Sequence, residues 1–490
     1  MTALWQRTAT QLAEGYRAGD FTPAEAAASC LERIQAWQPH VNAMVCVDGP
    51  GVQRAAEASR QRWAAGAPRG PLDGVPLTLK DNLHAAGLPT TWGSALLRGY
   101  TPPHDELPVQ RLREAGAVVL GKTNLPEFAM QGYTNNRLHG VTRNPWNVTR
   151  TPGGSSGGAA AAVAAGCGPL ALCSDGGGST RRPASHTGLV GFKPSGGVVP
   201  RGLGLPEIFL EHEVVGGLAR TVADVQALMN TVGDLPAVSP VPARPSEGQR
   251  GAAATGHRIL FVPRFGNHPV DPGIAARVRE AAHQFEALGY QVEEAAAFDL
   301  AEDINAHWGT LSCTGLAWML DRASQFPEFQ LTQGTPPDLG VCTEAALAQM
   351  RAGQSAGATA VFDVLAAVHT LRQRLGELFT RHDFLLTPAT AALPWSAEAT
   401  HPALIDGVAV GPRGHAVFTA FANAAGLPAI ALPTSPVDGL PTGLQLVGRP
   451  LADATLLAVA ADFERAHPWQ ALWPRLPTDP VAPIASPHQP

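Results

Sequence analysis

TPGGSSGGAAAAVAAGCGPLALCSDGGGSTRRP, residues 151–183, sets two serine-bearing glycine clusters on either side of a run of small residues. The first carries Ser155 and Ser156 between Gly153-Gly154 and Gly157-Gly158; the second carries Ser179 behind Gly176, Gly177 and Gly178. Glycine admits close backbone approach and dihedral angles barred to other residues, so each cluster can aim backbone N–H groups at an anion. Between them, residues 159–165 predict a tightly packed buried helix and residues 169–173 a short strand, which would fold the clusters back toward each other. Serines gathered among backbone donors point to nucleophilic catalysis.

A chain of 490 residues has room for two or three average domains, or for one large α/β domain with long excursions. An apolar content of 45%, a charged content of 16% and a formal net charge of -6 speak against disorder and against a nucleic-acid partner. The six cysteines form no CxxC pair and sit mostly in apolar surroundings, which reads as free thiols in a reducing compartment. No basic stretch followed by an apolar one opens the chain, so no secretory signal is expected. The longest uncharged run, residues 151–174, is rich in Gly and Ser and contains two prolines, which suits a core segment and not a membrane span. The expectation is a cytoplasmic protein with no membrane association.

Along the chain, Thr22-Pro23-Ala24-Glu25 has the form of a capping box with proline at the first helical position, opening a helix to about Trp37. Residues 75–79 and 118–120 read as strands and 109–115 as a helix, the alternation of a sheet covered on both sides. Residues 234–256, rich in Pro, Gly, Ser and Ala, are the expected linker or surface excursion. Beyond them, 258–262, 274–288 and 291–293 read as strand, helix and strand, with buried strands again at 383–388 and 429–433. The proline-rich tail from Trp473 is expected to be extended or disordered.

A serine hydroxyl is a weak nucleophile and needs a base. The nearest histidine, His186, carries no recognisable triad pattern around it. Lysine is the alternative, and only three of the 35 Lys and Arg residues are lysine: Lys80, Lys122 and Lys193. In so arginine-biased a chain each lysine raises the question of why Arg would not serve. One answer is deprotonation, open to a desolvated ammonium but not to guanidinium. Lys80 ends an apolar strand in which Val75, Leu77 and Leu79 would dehydrate it, making it the candidate base; the plain alternative is an ion pair with Asp81 or another carboxylate. Successive N–H groups of Gly176, Gly177, Gly178 and Ser179 can form an oxyanion hole. Two further patterns are decoys. Residues 116–123 match GxxxxGK[ST], the phosphate-loop pattern of nucleotide hydrolases, but a helix precedes them and AVVL reads as a buried strand. Glu211-His212-Glu213 lacks a second cluster and reads as a solvated loop, so no metal is expected.

Taken together, several ordered motifs resemble the amidase signature family of amide hydrolases: Gly74-Val75-Pro76 through Lys80-Asp81-Asn82; Gly121-Lys122-Thr123-Asn124 with Glu127-Phe128; Gly153 through Gly158; Ser174-Asp175 through Ser179 with Arg181; Leu218 through Asp224; Asn423; and Gly443-Leu444-Gln445. The resemblance spans most of the chain. It implies one domain over 1–490, with a helical scaffold to about 70, a catalytic core over about 71–230, the excursion at 234–256, an α/β part over about 257–472 and a tail from 473. The implied fold is α/β: a large mixed, mostly parallel, twisted sheet covered by helices on both faces. It also implies a triad of Ser179 as nucleophile, Ser155 as bridging serine on a cis peptide and Lys80 as base, acting without a cofactor on a small-molecule amide, ester or carbamate. Ser156 is the rival of Ser155. Self-association into a homodimer is compatible with this reading. Three departures stand out: Gly176 where a larger residue is common, Ser195 where Thr is common, and Arg182 in an ordinarily uncharged place. Arg182 either faces the pocket, to bind a substrate carboxylate or carbonyl, or makes an outward ion pair, the commoner arrangement. The same fold serves the A-type component of a tRNA-dependent amidotransferase, the glutaminase that supplies ammonia for amidation. Residues 195–215 depart from the form expected of it, so a stand-alone hydrolase is the favoured expectation.

Overall fold

The computed structural model of the chain describes residues 3–233 and 256–477. Its strands are β1 (Met44–Val47), β2 (Pro76–Lys80), β3 (Val118–Thr123), β4 (Leu170–Asp175), β5 (Val190–Lys193), β6 (Val214–Ala219), β7 (Arg258–Phe261), β8 (Gln291–Glu294), β9 (Phe384–Pro388), β10 (Leu404–Ile405), β11 (Val408–Ala409), β12 (Ala429–Val437) and β13 (Leu440–Gly448). Eleven of them form one sheet in the order β1-β3-β2-β4-β6-β5-β12-β13-β9-β7-β8, while β10 and β11 pair apart from it. Helices flank the sheet.

The sheet is mixed, but it is mostly antiparallel and not mostly parallel as expected. Six of its ten neighbouring pairs run antiparallel and four parallel. Alternating strands and helices predict crossovers between parallel neighbours only when each helix returns the chain to the adjacent place. Here β6 enters between β4 and β5 and opposes both. β12 and β13 close as a hairpin through Asp438-Gly439, whose φ angles of 51° and 75° are the left-handed pair a two-residue turn needs.

Local structure follows the residues closely. Thr22 Oγ1 caps the N–H of Glu25 at 3.2 Å while Glu25 returns a contact to the Thr22 N–H, and the helix runs over Pro23–Val41, one turn past the expected end. In the opening stretch, the small-residue run forms the helix Gly157–Ala164, every residue buried, followed by β4, also buried throughout. This helix lies directly on the β3 connection. A Cβ added at Gly158 would sit 2.4 Å from both the N and O of Asn124. Such proximity is what brings Ser155, just before the helix, up to the edge where β2 and β4 end.

All six cysteines are free, four of them buried. No helix among the described residues is long and apolar enough to cross a membrane. Apart from Gly256, the expected linker at 234–256 lies outside the described residues, as does the tail beyond 477. The first tail residues are packed, not free: the Trp473 ring lies 3.5 Å under the Arg220 guanidinium and edge-on to Trp5.

Gly158→Ala is expected to destabilise the protein by about 1–3 kcal/mol through overpacking against backbone that cannot yield. Urea unfolding of wild type and variant checks this, and an unchanged midpoint would sink the close-approach argument.

Candidate active site

β2 and β4 are parallel neighbours, Leu79 opposite Leu172, so their carboxyl ends share one edge of the sheet. Open α/β sheets bind ligands at such edges. Lys80 closes β2 with no solvent exposure. Its Nζ lies 2.8 Å from Ser155 Oγ, 3.0 Å from Ser174 Oγ and 3.3 Å from the Ser174 carbonyl oxygen. Asp81 pairs instead with Lys122 at 3.4 Å, so the ion-pair alternative for Lys80 does not hold. Burial pushes the Lys80 ammonium down to about 8, against the opposing pull of Cys173, Glu213 and Asp175. A neutral amine has two N–H donors and one lone pair. With the donors on the two Ser174 oxygens, the lone pair faces Ser155.

Ser155 follows a cis peptide bond from Gly154. Its rival Ser156 donates to the Ser174 carbonyl oxygen at 3.3 Å and not to the lysine. Ser179 is 8% exposed and lines, with Ser155 and Ser174, a cavity of about 750 Å³. Its hydroxyl bonds no protein group among the described residues and opens to that space.

The glycine loop differs from expectation at one residue. Gly178 donates its N–H to Asp175 Oδ1 at 2.7 Å and does not line the cavity, so it is not a free oxyanion donor. Gly176, Gly177 and Ser179 do line it. Asp175 competes successfully because it is a buried carboxylate that Arg181 keeps ionised: burial opposes the charge, yet the guanidinium at 2.8 Å holds it well below the usual range. The loop is further fixed by Trp308, whose Nε1 donates to the Gly176 oxygen at 3.1 Å, and by Thr419 Oγ1, which donates to the Gly177 oxygen at 2.7 Å.

Arg182 makes no outward ion pair. It is buried and lines the cavity, with Nε on the Gly178 oxygen at 3.2 Å and Nη1 on His415 Nε2 at 3.1 Å. Burial first, and the charge of Arg413 second, lower its guanidinium to about 9. The same burial and the neighbouring arginines hold His415 neutral, well below its ordinary value, so its Nε2 accepts from Arg182. Arg413 lines the same cavity.

Elsewhere the structure disposes of the decoys. Gly121-Lys122-Thr123 lie inside β3, and Lys122 Nζ is spent on the Leu83 oxygen and Thr90 Oγ1, each at 2.7 Å; no phosphate loop exists there. Glu211-His212-Glu213 is not a solvated loop: His212 and Glu213 are buried, and Glu213 reaches the cavity. No group of three or more His, Cys, Asp or Glu among the described residues is placed to hold a metal ion. Sequence reasoning missed Ser174, Asn82, Glu213 and Arg413. The first two stood inside quoted motifs, and only their contacts with Lys80 and each other give them a place at the site.

The family model described as Amidase matches residues 25–457. The chain is similar to the A component of the glutamyl-tRNA(Gln) amidotransferase of Symbiobacterium thermophilum, 36% identical over 477 residues, covering 94% of this chain and 96% of that protein. It is also similar to an acylamidase of Rhodococcus erythropolis, 34% identical over 480 residues, with the same coverage of 94% and 96%. Among solved structures it matches a bacterial aryl acylamidase of the amidase signature enzymes with a TM-score of 0.86 and 29% identity, covering 95% of this chain and 97% of that one. The chain therefore belongs to the amidase signature family, and is a hydrolase acting on amide C–N bonds other than peptide bonds.

Proposed function

We propose that the chain cleaves a small-molecule carboxamide through an acyl-enzyme on Ser179, with Ser155 relaying protons and Lys80 as base. The observation that carries this reading is the 2.8 Å contact between Lys80 Nζ and Ser155 Oγ at the wall of the cavity that Ser179 shares. Neutral Lys80 takes the Ser155 proton as Ser155 takes that of Ser179, whose oxygen attacks the carbonyl carbon. The charge that develops on the carbonyl oxygen falls to the N–H groups of Gly176, Gly177 and Ser179. As the C–N bond breaks, Ser155 protonates the departing amine and recovers its own proton from Lys80. Water then cleaves the ester, releasing the acid and free Ser179.

Arg182 supports a finer reading of the substrate. A buried cation normally carries a partner, and this one faces the cavity with only a carbonyl and a neutral imidazole for company. An amide bearing a carboxylate supplies what is missing. Glutamine is one such amide, and amidotransferase A components at 33 to 36% identity outnumber the acylamidase among similar curated proteins. That weight favours the amidotransferase glutaminase over the stand-alone enzyme drawn from residues 195–215. The stand-alone hydrolase has the acylamidase, at 34%, and the aryl acylamidase fold, at a TM-score of 0.86, on its side. The free thiols support a cytoplasmic location.

The chain is assayed alone and with added amidotransferase partner proteins on a panel of anilides, aliphatic amides, carbamates and glutamine; release of amine by the chain alone would establish the stand-alone hydrolase. Glutaminase activity that emerges only with added partner proteins would establish the amidotransferase reading. Ser179→Ala should lower any such rate by at least about 10,000-fold, the usual loss on removing the nucleophile; full activity in that variant would end the acyl-enzyme proposal. Because Lys80 works only when neutral and is charged below about 8, kcat/KM should rise with pH through about 8 and fall tenfold per unit beneath it. A profile flat across that range contradicts the base assignment. Arg182→Gln is expected to raise KM for carboxylate-bearing amides by about 10-fold or more relative to matched neutral ones; equal effects on both would remove Arg182 from substrate recognition.

A further inference from the structure

We infer that Glu213, restrained by Arg201, is a positioning residue that acts on Lys80 through Asn82 and Ser174. The inference rests on the reading of Lys80 as the base. Glu213 stands between the short turn Leu210–His212 and β6, only 6% exposed, and lines the cavity beside Ser155, Ser174 and Ser179. Its Oε1 accepts from Arg201 Nη1 at 3.0 Å and from Asn82 Nδ2 at 3.4 Å. Asn82 Nδ2 donates also to Ser174 Oγ at 2.9 Å, and Ser174 Oγ accepts from Lys80 Nζ.

Two consequences follow from the chemistry of these groups. A carboxylate can only accept, so Glu213 dictates which way the Asn82 amide points, its NH2 toward both Glu213 and Ser174. The Asn82 Oδ1 has no partner of its own among the described residues that would fix the amide otherwise. So oriented, Asn82 leaves Ser174 Oγ as an acceptor toward Lys80, which keeps the two N–H groups of the neutral amine on Ser174 and its lone pair on Ser155. Second, Glu213 is the negative charge near Lys80 whose neutralisation is shared. Cys173 stays a neutral thiol, pushed by burial up to about 12, and Asp175 is matched by Arg181 with Lys193 nearby. Asp81 and Lys122, from the end of β2 and from β3, pair with each other. Arg201, by contrast, divides one guanidinium among Glu213, Glu106 at 3.5 Å and Glu207 at 3.3 Å. Burial, opposed by Arg201, raises Glu207 to about 7, so that partner is itself half protonated near neutrality. Glu211 and His212 are the remaining titratable neighbours on the turn, 3.6 Å from each other. The field that Glu213 exerts on Lys80 thus depends on how firmly Arg201 holds it.

The test is the pH dependence of Ser179 phosphonylation by an alkyl fluorophosphonate, in which the serine oxygen bonds to phosphorus, fluoride leaves and the serine proton passes to the relay. This readout needs no knowledge of the natural amide. Glu213→Gln keeps the shape and removes the charge, and should move the rising limb of the inactivation rate down by about half a unit to one unit of pH. Arg201→Met leaves Glu213 less compensated and should move the limb up. Glu213→Asp keeps the charge and should bring the limb back toward wild type. A Glu213→Gln limb that coincides with wild type, or a uniform loss of rate at an unmoved limb, overturns this proposal alone, whatever the folding of the Arg201 variant. Absence of any rising limb in wild type, or full reactivity in Lys80→Met, overturns the base assignment and this proposal with it.

Discussion

The buried ion pair of Asp175 and Arg181 is the interaction on which the site depends. Neither residue has any solvent exposure, and desolvating two charges is costly unless the remaining hydrogen-bonding capacity is satisfied. Here it is. Arg181 places all five N–H donors: two on Asp175, and one each on the Thr419 oxygen, Gln445 Oε1 and Asn423 Oδ1. Asp175 in turn accepts from the Gly178 and Thr180 N–H groups and from Asn423. Removing one partner from such a pair leaves an uncompensated charge at a cost of about 3–5 kcal/mol. The glycine loop is thereby held between two fixed ends, with Trp308 and Thr419 on its carbonyl oxygens and the Phe209 ring against Gly176.

Beside this pair, two buried lysines illustrate how surroundings assign chemistry. Lys122 has a carboxylate, Asp81, that resists the effect of burial on its charge. Lys80 has hydroxyls and a carbonyl at contact distance, and its nearest carboxylates are already engaged by arginines. The two differ by one strand in the sheet, and burial lowers both, but Asp81 opposes the effect at Lys122 while Lys80 is brought down to about 8. The arginine bias of the chain sharpens the contrast, since guanidinium at either place would remain charged.

Much of this was legible before the structure, and the limits of legibility are physical. Periodicity and small-residue packing located the helix Gly157–Ala164 and β4 to within two residues or so, because these features are local. Strand direction was not legible: it depends on where each crossover lands, and the reversal at Asp438-Gly439 emerged only with the β12–β13 pairing. Gly178 looked like its neighbours, and only the tertiary position of the Asp175 carboxylate takes its N–H away from the cavity. Arg181 and Arg182 are adjacent and alike in sequence, but adjacent helical residues project about 100° apart, so one is locked into the core and the other into the cavity wall. Glu213 was hidden because its relation to Lys80 passes through two intermediates contributed by different strands and their ends.

The partners of Arg181 carry a consequence for the order in which the molecule is made. Asp175 and Arg181 precede in synthesis the three acceptors of the guanidinium at residues 419, 423 and 445, which lie more than two hundred residues further along the chain. They arrive on and beside the β12–β13 hairpin, which joins the sheet against β5. Until then the nascent chain holds a half-satisfied charge pair and a glycine loop without its outer clasp. The Ser179 loop therefore gains its full outer clasp only once that hairpin has been made, and a product ending before Thr419 would carry Lys80, Ser155 and Ser179 without those contacts.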